Sequence, residues 1–210
     1  MKIKLLIAGT GYIELANIAR NGFTYNGDEI EVIGYLDDNP ENKSRKLQGL
    51  KILGGFSDIS KYPDAYVINS IARNMKLRAE TTRLLSKHGA KFTNIIHKSS
   101  SYSQFKLGIG SFIGPNTVIE PNVEIGSHCC ILSSSVISHD SKLGDVCFLG
   151  HNTTISGNVK INDEVFIGAG SVVYPNINIE NSSIIGINST VISDVKSGSS
   201  ISAPLSKRIK

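Results

Sequence analysis

The chain lacks any apolar run of membrane-spanning length, and the apolar stretch within Met1–Ala8 is cut short by Gly9. A membrane span needs roughly twenty apolar residues and a secretory leader an apolar core of roughly seven to fifteen. Neither is expected, so the protein is expected in the cytoplasm. Cysteine is scarce: Cys129, Cys130 and Cys147 are the only ones, and their spacing suits neither a disulfide framework nor a metal site, so no metal is expected. A basic face is missing too. Net charge is +4, with lysine and arginine scattered except for a small group at Lys207, Arg208 and Lys210. Without interleaved aromatics that group reads as a solvated tail, and no nucleic-acid partner is expected. A chain of 210 residues can hold one to two domains.

What is present is a period. From Leu107 to Val191 an aliphatic residue stands at every sixth position: 107, 113, 119, 125, 131, 137, 143, 149, 155, 161, 167, 173, 179, 185 and 191. Four places after each comes a small or β-branched residue, from Ser111, Thr117 and Val123 onwards, with Cys129 and Cys147 in the same set. Glycine often follows the aliphatic residue, at 108, 114, 126, 144, 150, 168 and 186. Each hexapeptide is then a short strand plus a turn that buries its apolar side only against copies of itself. Three hexapeptides make one triangular coil, so about five coils stack into a parallel β-helix. Gly, Asn and Asp are expected at the turns that need positive φ.

Before residue 98 the chain alternates strand and helix. Ile3–Ala8 is an apolar run ending in Gly9-Thr10-Gly11, a helical stretch lies near Ile13–Arg20, and Glu31–Leu36 is a second strand closing on Asp37-Asp38. Short strands are expected at Lys51–Leu53, Ala65–Asn69 and Phe92–Ile96, with a helix from about Lys76 to His88. This order predicts an α/β domain over 1–97, a half-Rossmann parallel sheet with its ligand crevice at the carboxyl ends of the strands, ahead of the all-β domain over 98–210 with its C-terminal tail. The third glycine of a dinucleotide fingerprint would fall on Glu14, whose charge is unwelcome beside a pyrophosphate. A pocket for a nucleotide-linked sugar fits better, with Asp37 and Asp38 accepting hydrogen bonds from a ribose or base. Alternatively those two residues only begin a polar loop.

Two histidines in the repeat stand out. His139, followed by Asp140, and His151 each lie two places after an inward aliphatic residue, which puts them at coil corners and facing outward. Eighteen residues beyond His139 is Gly157, one coil on in the same column, leaving open backbone beside the ring for a long, thin acyl carrier. Imidazole, with an unperturbed pKa of about 6.5, suits general-base work, and a carboxylate such as Asp140 can orient it. His151 stacks in a different column, with Ala169 and Ile187. His128 and His88 read as ordinary surface residues, and His97 as part of the junction between the two halves.

Several segments carry a resemblance over almost the whole chain: IAGTG, GYLDDN, VINSIARN, Ser138-His139-Asp140, Ser156-Gly157-Asn158-Val159 and Phe166-Ile167-Gly168-Ala169-Gly170. The chain resembles the bacterial sugar acetyltransferases related to sialic acid O-acetyltransferase and to the UDP-amino-sugar N-acetyltransferases of surface-glycan pathways (NeuD/PglD-like). The resemblance implies that the β-helix is left-handed, that the protein is a homotrimer, and that acetyl-CoA lies between neighbouring subunits. It implies His139 as general base and Asp140 as the carboxylate behind it. Acetyl-CoA would be lined by Phe148, His151, Gly157, Ala169 and Ile187, and the nucleotide-linked amino sugar by Thr10, Gly11, Tyr12, Ile13, Asp37, Asp38 and Ala72. The implied reaction is N-acetylation of that sugar; O-acetylation of a sialic-acid-like sugar and a non-catalytic trimeric scaffold are the alternatives. The chain departs from the family's pattern in having Tyr12-Ile13 after the first glycines, Phe148 in place of a second histidine, and Ser202-Ala203-Pro204-Leu205-Ser206-Lys207 near its end. Tyr12 would offer a flat face for stacking and one hydroxyl, so the acceptor is expected to differ from the best-known UDP-linked substrate.

Overall fold

In the computed structural model, residues 1–72 and 74–203 are described. Five strands form the parallel sheet of the front half: β1 (Lys2–Ala8), β3 (Glu29–Leu36), β5 (Leu50–Gly54), β6 (Ala65–Asn69) and β7 (Lys91–Phe92), in spatial order β5-β3-β1-β6-β7. Helix α1 (Leu15–Arg20) follows β1 and α2 (Met75–Lys87) follows β6. Pairing reverses direction about β1, which has β3 on one side and β6 on the other. A crevice opens at such a switch point, between the loops that leave the carboxyl ends of the two strands. Sequence reasoning missed two short antiparallel additions: β2 (Gly22–Phe23) on the edge of β3, and β4 (Lys46–Leu47), which makes a hairpin with β5. Two-residue strands carry too little periodic pattern to announce themselves.

The second half is the left-handed parallel β-helix. Its two-residue strands form three faces, with partners eighteen residues apart, as in Phe112↔Cys130, Val118↔Val136 and Glu124↔Lys142. Every one of the periodic aliphatic residues from Ile113 to Val191 is buried. So are the small residues four places on, and their hydroxyls bond to corner carbonyls, as Ser135 Oγ does to Gly150 O at 3.0 Å. The helix starts earlier than the hexapeptide count suggests. β8 (Ile95–His97) is its first rung, pairing Ile95↔Phe112 and Ile96↔Ile113. That offset is 112 − 95 = 17, one short of a full coil, and the slip hides Ile96, a member of the prism core, from a strict six-residue count.

The turns correct a second expectation. From Gly110 to Asn188 every sixth residue has φ between 52° and 74°, including His128, Ser134, Val146 and Glu164. The fold imposes left-handed backbone at that position whatever residue occupies it, and a β-branched Val there stands against a penalty of about 1–2 kcal/mol. The glycines after the aliphatic residues have a different task. A Cβ on Gly150 would lie 2.5 Å from Ala169 N, and one on Gly168 2.6 Å from Ile187 N, so these glycines let successive coils approach at the corner.

One core crosses from the front half into the prism. Leu5, Ile7, Leu15, Ile18 and Met75 cluster with Phe112, Cys130, Leu132 and Phe148, which stand on the outer side of the prism's first face. The proposed division at 97/98 falls at the end of β8, which bonds to β2 on one side and to the prism on the other. His128, expected at the surface, is half-buried in this seam. Its ring packs edge-on against Phe92 at 4.7 Å, and burial, with Arg78 nearby, pushes its pKa down to about 4. Arg78, fully buried, donates from Nε to His128 O at 2.9 Å and from Nη1 to Asn69 O and Ile71 O at 2.8 and 2.7 Å. It thereby ties the loop after β6 to the prism. No helix among the described residues is long and apolar enough to cross a membrane.

Candidate active site

Local geometry around the first glycines differs from a pyrophosphate cradle. A Cβ on Gly9, whose φ is +86°, would meet Ile71 Cγ1 at 3.0 Å, and one on Gly11 would meet Ser70 O at 3.0 Å. The close approach that these glycines allow is by the chain's own loop after β6. That loop is held by Ser70 Oγ donating to Gly9 O at 2.6 Å and by Asn69 Oδ1 accepting from Ile71 N at 2.9 Å. Glu14, in the place of the third glycine, is exposed and accepts from Asn17 and Gln48 side chains.

Between these loops lies a crevice of about 360 Å³ lined by Thr10, Gly11, Asp37, Asp38, Ile71 and Ala72 among others. Five of the seven residues expected at the sugar nucleotide thus meet in one place. Asp38 spends one oxygen on Phe56 N at 2.7 Å, and Asp37 accepts from Asn39 N at 2.8 Å, so both begin their loop as well as border the crevice. A second cavity of about 240 Å³ shares Gly11 and Ala72 with the first and adds Tyr12, Leu132, Phe148, Gly150, His151, Phe166, Gly168, Ala169 and Ile187. The two form one groove running from the front sheet onto the prism.

Tyr12 lines the second cavity, next to the shared Gly11. Its ring stacks on Phe112 at 5.8 Å with planes 8° apart, so the face expected to be free for a base is taken on one side. Burial, with Glu14 adding to it, pushes its phenol up to about 12; the hydroxyl stays protonated as a donor. His151 stands across the cavity, 6.3 Å from the Tyr12 ring centre. Phe148 is buried against Phe166, the rings stacked at 4.9 Å. Ile13 is exposed and lines neither cavity; its carbonyl accepts from Tyr35 at 3.4 Å.

His139 sits elsewhere in the chain. It follows the second-face strand Val136–Ile137, whereas His151 follows the first-face strand Phe148–Leu149, so the two occupy different edges of the prism. The His139 ring is exposed, and its Nδ1 lies 2.8 Å from Asp140 Oδ2. A carboxylate only accepts, so Nδ1 carries the hydrogen, and in the neutral ring the lone pair is on Nε2. A Cβ built on Gly157 would lie 2.7 Å from Nε2; the lone pair therefore overlooks the side-chain-free spot one coil on. The hydrogen bond from His139 holds the Asp140 carboxyl below its ordinary range, and one from Asn122 adds to it. Below, Glu120 accepts from His139 N at 2.9 Å.

The residues expected at acetyl-CoA are therefore divided between two edges. Gly157 belongs to the His139 column, while Phe148, His151, Ala169 and Ile187 line the groove. Sequence reasoning missed Glu120 and Asn122, although stepping back one coil from Asp140 would have reached Asn122. It also missed Leu132 and Phe166 in the groove, which look like any other outward apolar position. Among the described residues no group of three His, Cys, Asp or Glu side chains could hold a metal ion.

Fold and site together define a hexapeptide-repeat β-helix protein with an α/β domain in front. Residues 106–139 and 140–175 each match the family model described as bacterial transferase hexapeptide (six repeats). Among solved structures, the acetyltransferase domain of PglB from Neisseria gonorrhoeae FA1090 is similar with a TM-score of 0.84 and 19% identity, over 95% of this chain and 96% of that one. The same domain in complex with acetyl coenzyme A is similar with a TM-score of 0.83 and 19% identity, over 97% of each chain. PerB from Caulobacter crescentus, in complex with CoA and GDP-perosamine, is similar with a TM-score of 0.82 and 24% identity, over 95% of this chain and 94% of that one. No curated protein sequence matches the chain.

Proposed function

We propose that the protein transfers an acetyl group from acetyl-CoA to the amine of a nucleotide-linked amino sugar. The observation that carries this reading is the imidazole of His139, fixed by Asp140 in the tautomer that leaves Nε2 free, facing the open spot at Gly157. Such a group is placed to take a proton from a bound nucleophile. Support also comes from the groove, whose front end has acidic and hydroxyl groups suited to a nucleotide and whose far end is apolar, and from similar folds crystallised with acetyl coenzyme A or with CoA and GDP-perosamine. Bound acetyl-CoA would supply an activated thioester. The chain's own residues do the rest: the crevice at Asp37, Asp38 and Thr10 holds the nucleotide, Ala169 and Ile187 with the corner glycines offer a smooth apolar strip to the acyl carrier, and His139 Nε2 accepts the proton that the amine loses as its nitrogen bonds to the acetyl carbon. The C–S bond then breaks and the proton passes to the departing sulfur, which leaves as the free thiol. No protein nucleophile is required.

Free thiol should appear when acetyl-CoA and a GDP-, UDP- or dTDP-linked amino sugar are supplied together, and not with the corresponding hydroxyl sugar. Thiol release with the hydroxyl sugar alone would turn the reading to O-acetylation, and none with any acceptor would leave a binding scaffold. In the same assay Tyr12→Ala should raise the acceptor KM well above its effect on the acetyl-CoA KM, because Tyr12 lines the groove where the front domain meets the prism. Equal effects on both would remove the front domain from acceptor reading.

The active unit is a trimer in this reading. The prism's third face points Lys106, Glu124, Lys142 and Lys160 at solvent, and the first face lies partly under the front domain. The second face presents Val118, Val136, Thr154 and Val172, a mostly apolar column that is half-buried to exposed among the described residues. It lies between the His139 edge and the groove edge. Packing second faces about a threefold axis would bring His139 of one subunit to the groove of the next, and a closed ring satisfies every copy. Size measurement should give about three times 22.6 kDa. Co-expressed His139→Ala and Ala169→Trp chains, each inactive alone, should recover activity in mixed trimers; an active monomer would overturn the shared site.

A further inference from the structure

We infer that Asn122 is a positioning residue for the base, the third member of a side-chain relay Asn122–Asp140–His139. This rests on the reading of His139 given above. Asn122 Nδ2 donates to Asp140 Oδ1 at 3.0 Å, while Asp140 Oδ2 faces His139 Nδ1 at 2.8 Å. The two oxygens of one carboxylate are thus engaged by different partners on different coils. An exposed carboxylate held at one oxygen can swing about its bonds; held at both, it presents a fixed acceptor to the imidazole. The fold supplies the alignment. Asn122 and Asp140 occupy equivalent left-handed turn positions, φ 62° and 60°, so their side chains leave the corner in parallel, one coil apart. Their backbones are tied as well, Asp140 N donating to Pro121 O at 3.1 Å.

The column continues upward, but differently. Asn158 donates to Asn176 Oδ1 at 2.7 Å, a pairing between two amides that leaves Asp140 to its lower neighbour. The assignment of the amide at Asn122 is chemically forced, since a carboxylate can only accept and the NH₂ must face it. Other charges around the ring are accounted for. Glu120 accepts from the His139 main chain at 2.9 Å, Lys142 is paired with Glu124 at 3.2 Å, and Gly157 on the coil above brings no side chain. Among the described residues the side-chain hydrogen bond of Asn122 goes to Asp140 and not to the ring, so it acts through Asp140.

The test uses Asn122→Gly, which suits the left-handed backbone and removes the donor, and Asn122→Asp, which keeps the shape but cannot donate. Carboxyl ¹³C NMR titration, with Asp140→Asn identifying the resonance, should show the Asp140 midpoint moved to higher pH in both variants, further in Asn122→Asp because a second carboxylate faces the first. Turnover should fall roughly tenfold in Asn122→Gly, the order expected for one lost hydrogen bond to a charged group, with both KM values unchanged. Combined with Asp140→Asn, Asn122→Gly should add nothing further, as members of one relay are not additive. An unmoved Asp140 midpoint, or full additivity in the double variant, would overturn the relay. The NMR readout is independent of catalysis: if the midpoint moves while His139→Ala retains full activity, the base assignment fails and the relay stands.

Discussion

His139→Ala is expected to lower turnover by roughly two to four powers of ten, with assembly size and melting behaviour unchanged. The ring is exposed and packs no core, so its loss should leave the coils alone. Its removal takes away the imidazole that Asp140 orients toward the side-chain-free spot at Gly157. His151→Ala is the matched control. That ring also stands at a corner and lines the groove, yet it has no carboxylate partner among the hydrogen bonds of the described residues, and its loss should be much milder and expressed mainly in KM. Wild-type turnover in His139→Ala would falsify the mechanism.

Gly157→Ala is expected to lower activity about a hundredfold, the order associated with misplacing a reacting group by about 1 Å, while leaving stability nearly untouched. The added Cβ would come to 2.7 Å from His139 Nε2 and 2.8 Å from Cε1, and a surface imidazole can rotate away. That rotation relieves the clash but breaks the contact with Asp140 and turns Nε2 from its station. The comparison with Gly150→Ala and Gly168→Ala separates the two kinds of glycine. At those corners the new Cβ meets backbone of the next coil at 2.5 and 2.6 Å. Backbone cannot rotate aside, so those variants should lose stability first. A Gly157→Ala protein with ordinary melting and ordinary turnover would show that Nε2 does not work where it now points.

The prism was legible because its stabilisation is periodic. Each buried aliphatic residue contributes roughly 1.5–3 kcal/mol by leaving water, and no alternative fold buries one residue in six on a single side. Where the period slips, legibility ends: Ile96 belongs to the first rung but sits one residue out of step. Val146 and Glu164 show the converse limit. Turn propensity would not put either at positive φ, yet both adopt it because coil closure demands it at every sixth residue.

The chemical pairings within a column were also readable, since a step of eighteen residues takes His139 to Gly157 and Asp140 back to Asn122. Contacts between columns and between halves were not. Nothing in the local sequence distinguishes His128 from an exposed turn residue, and only the packing of Phe92 and Arg78 over it makes it neutral and half-buried. The face of Tyr12 is likewise settled by Phe112, a hundred residues away along the chain.

By itself, then, the sequence determined the coil, its repeat and the stacking of His139 and Asp140 with Gly157 and Asn122 in one column, because these depend on spacing along one chain direction. The tertiary structure alone decided that the front domain, through Tyr12, meets the His151 edge of the prism and not the His139 edge. Three faces per coil send residues only twelve apart to separate corners, and no period read along the chain says which corner the front domain will cover.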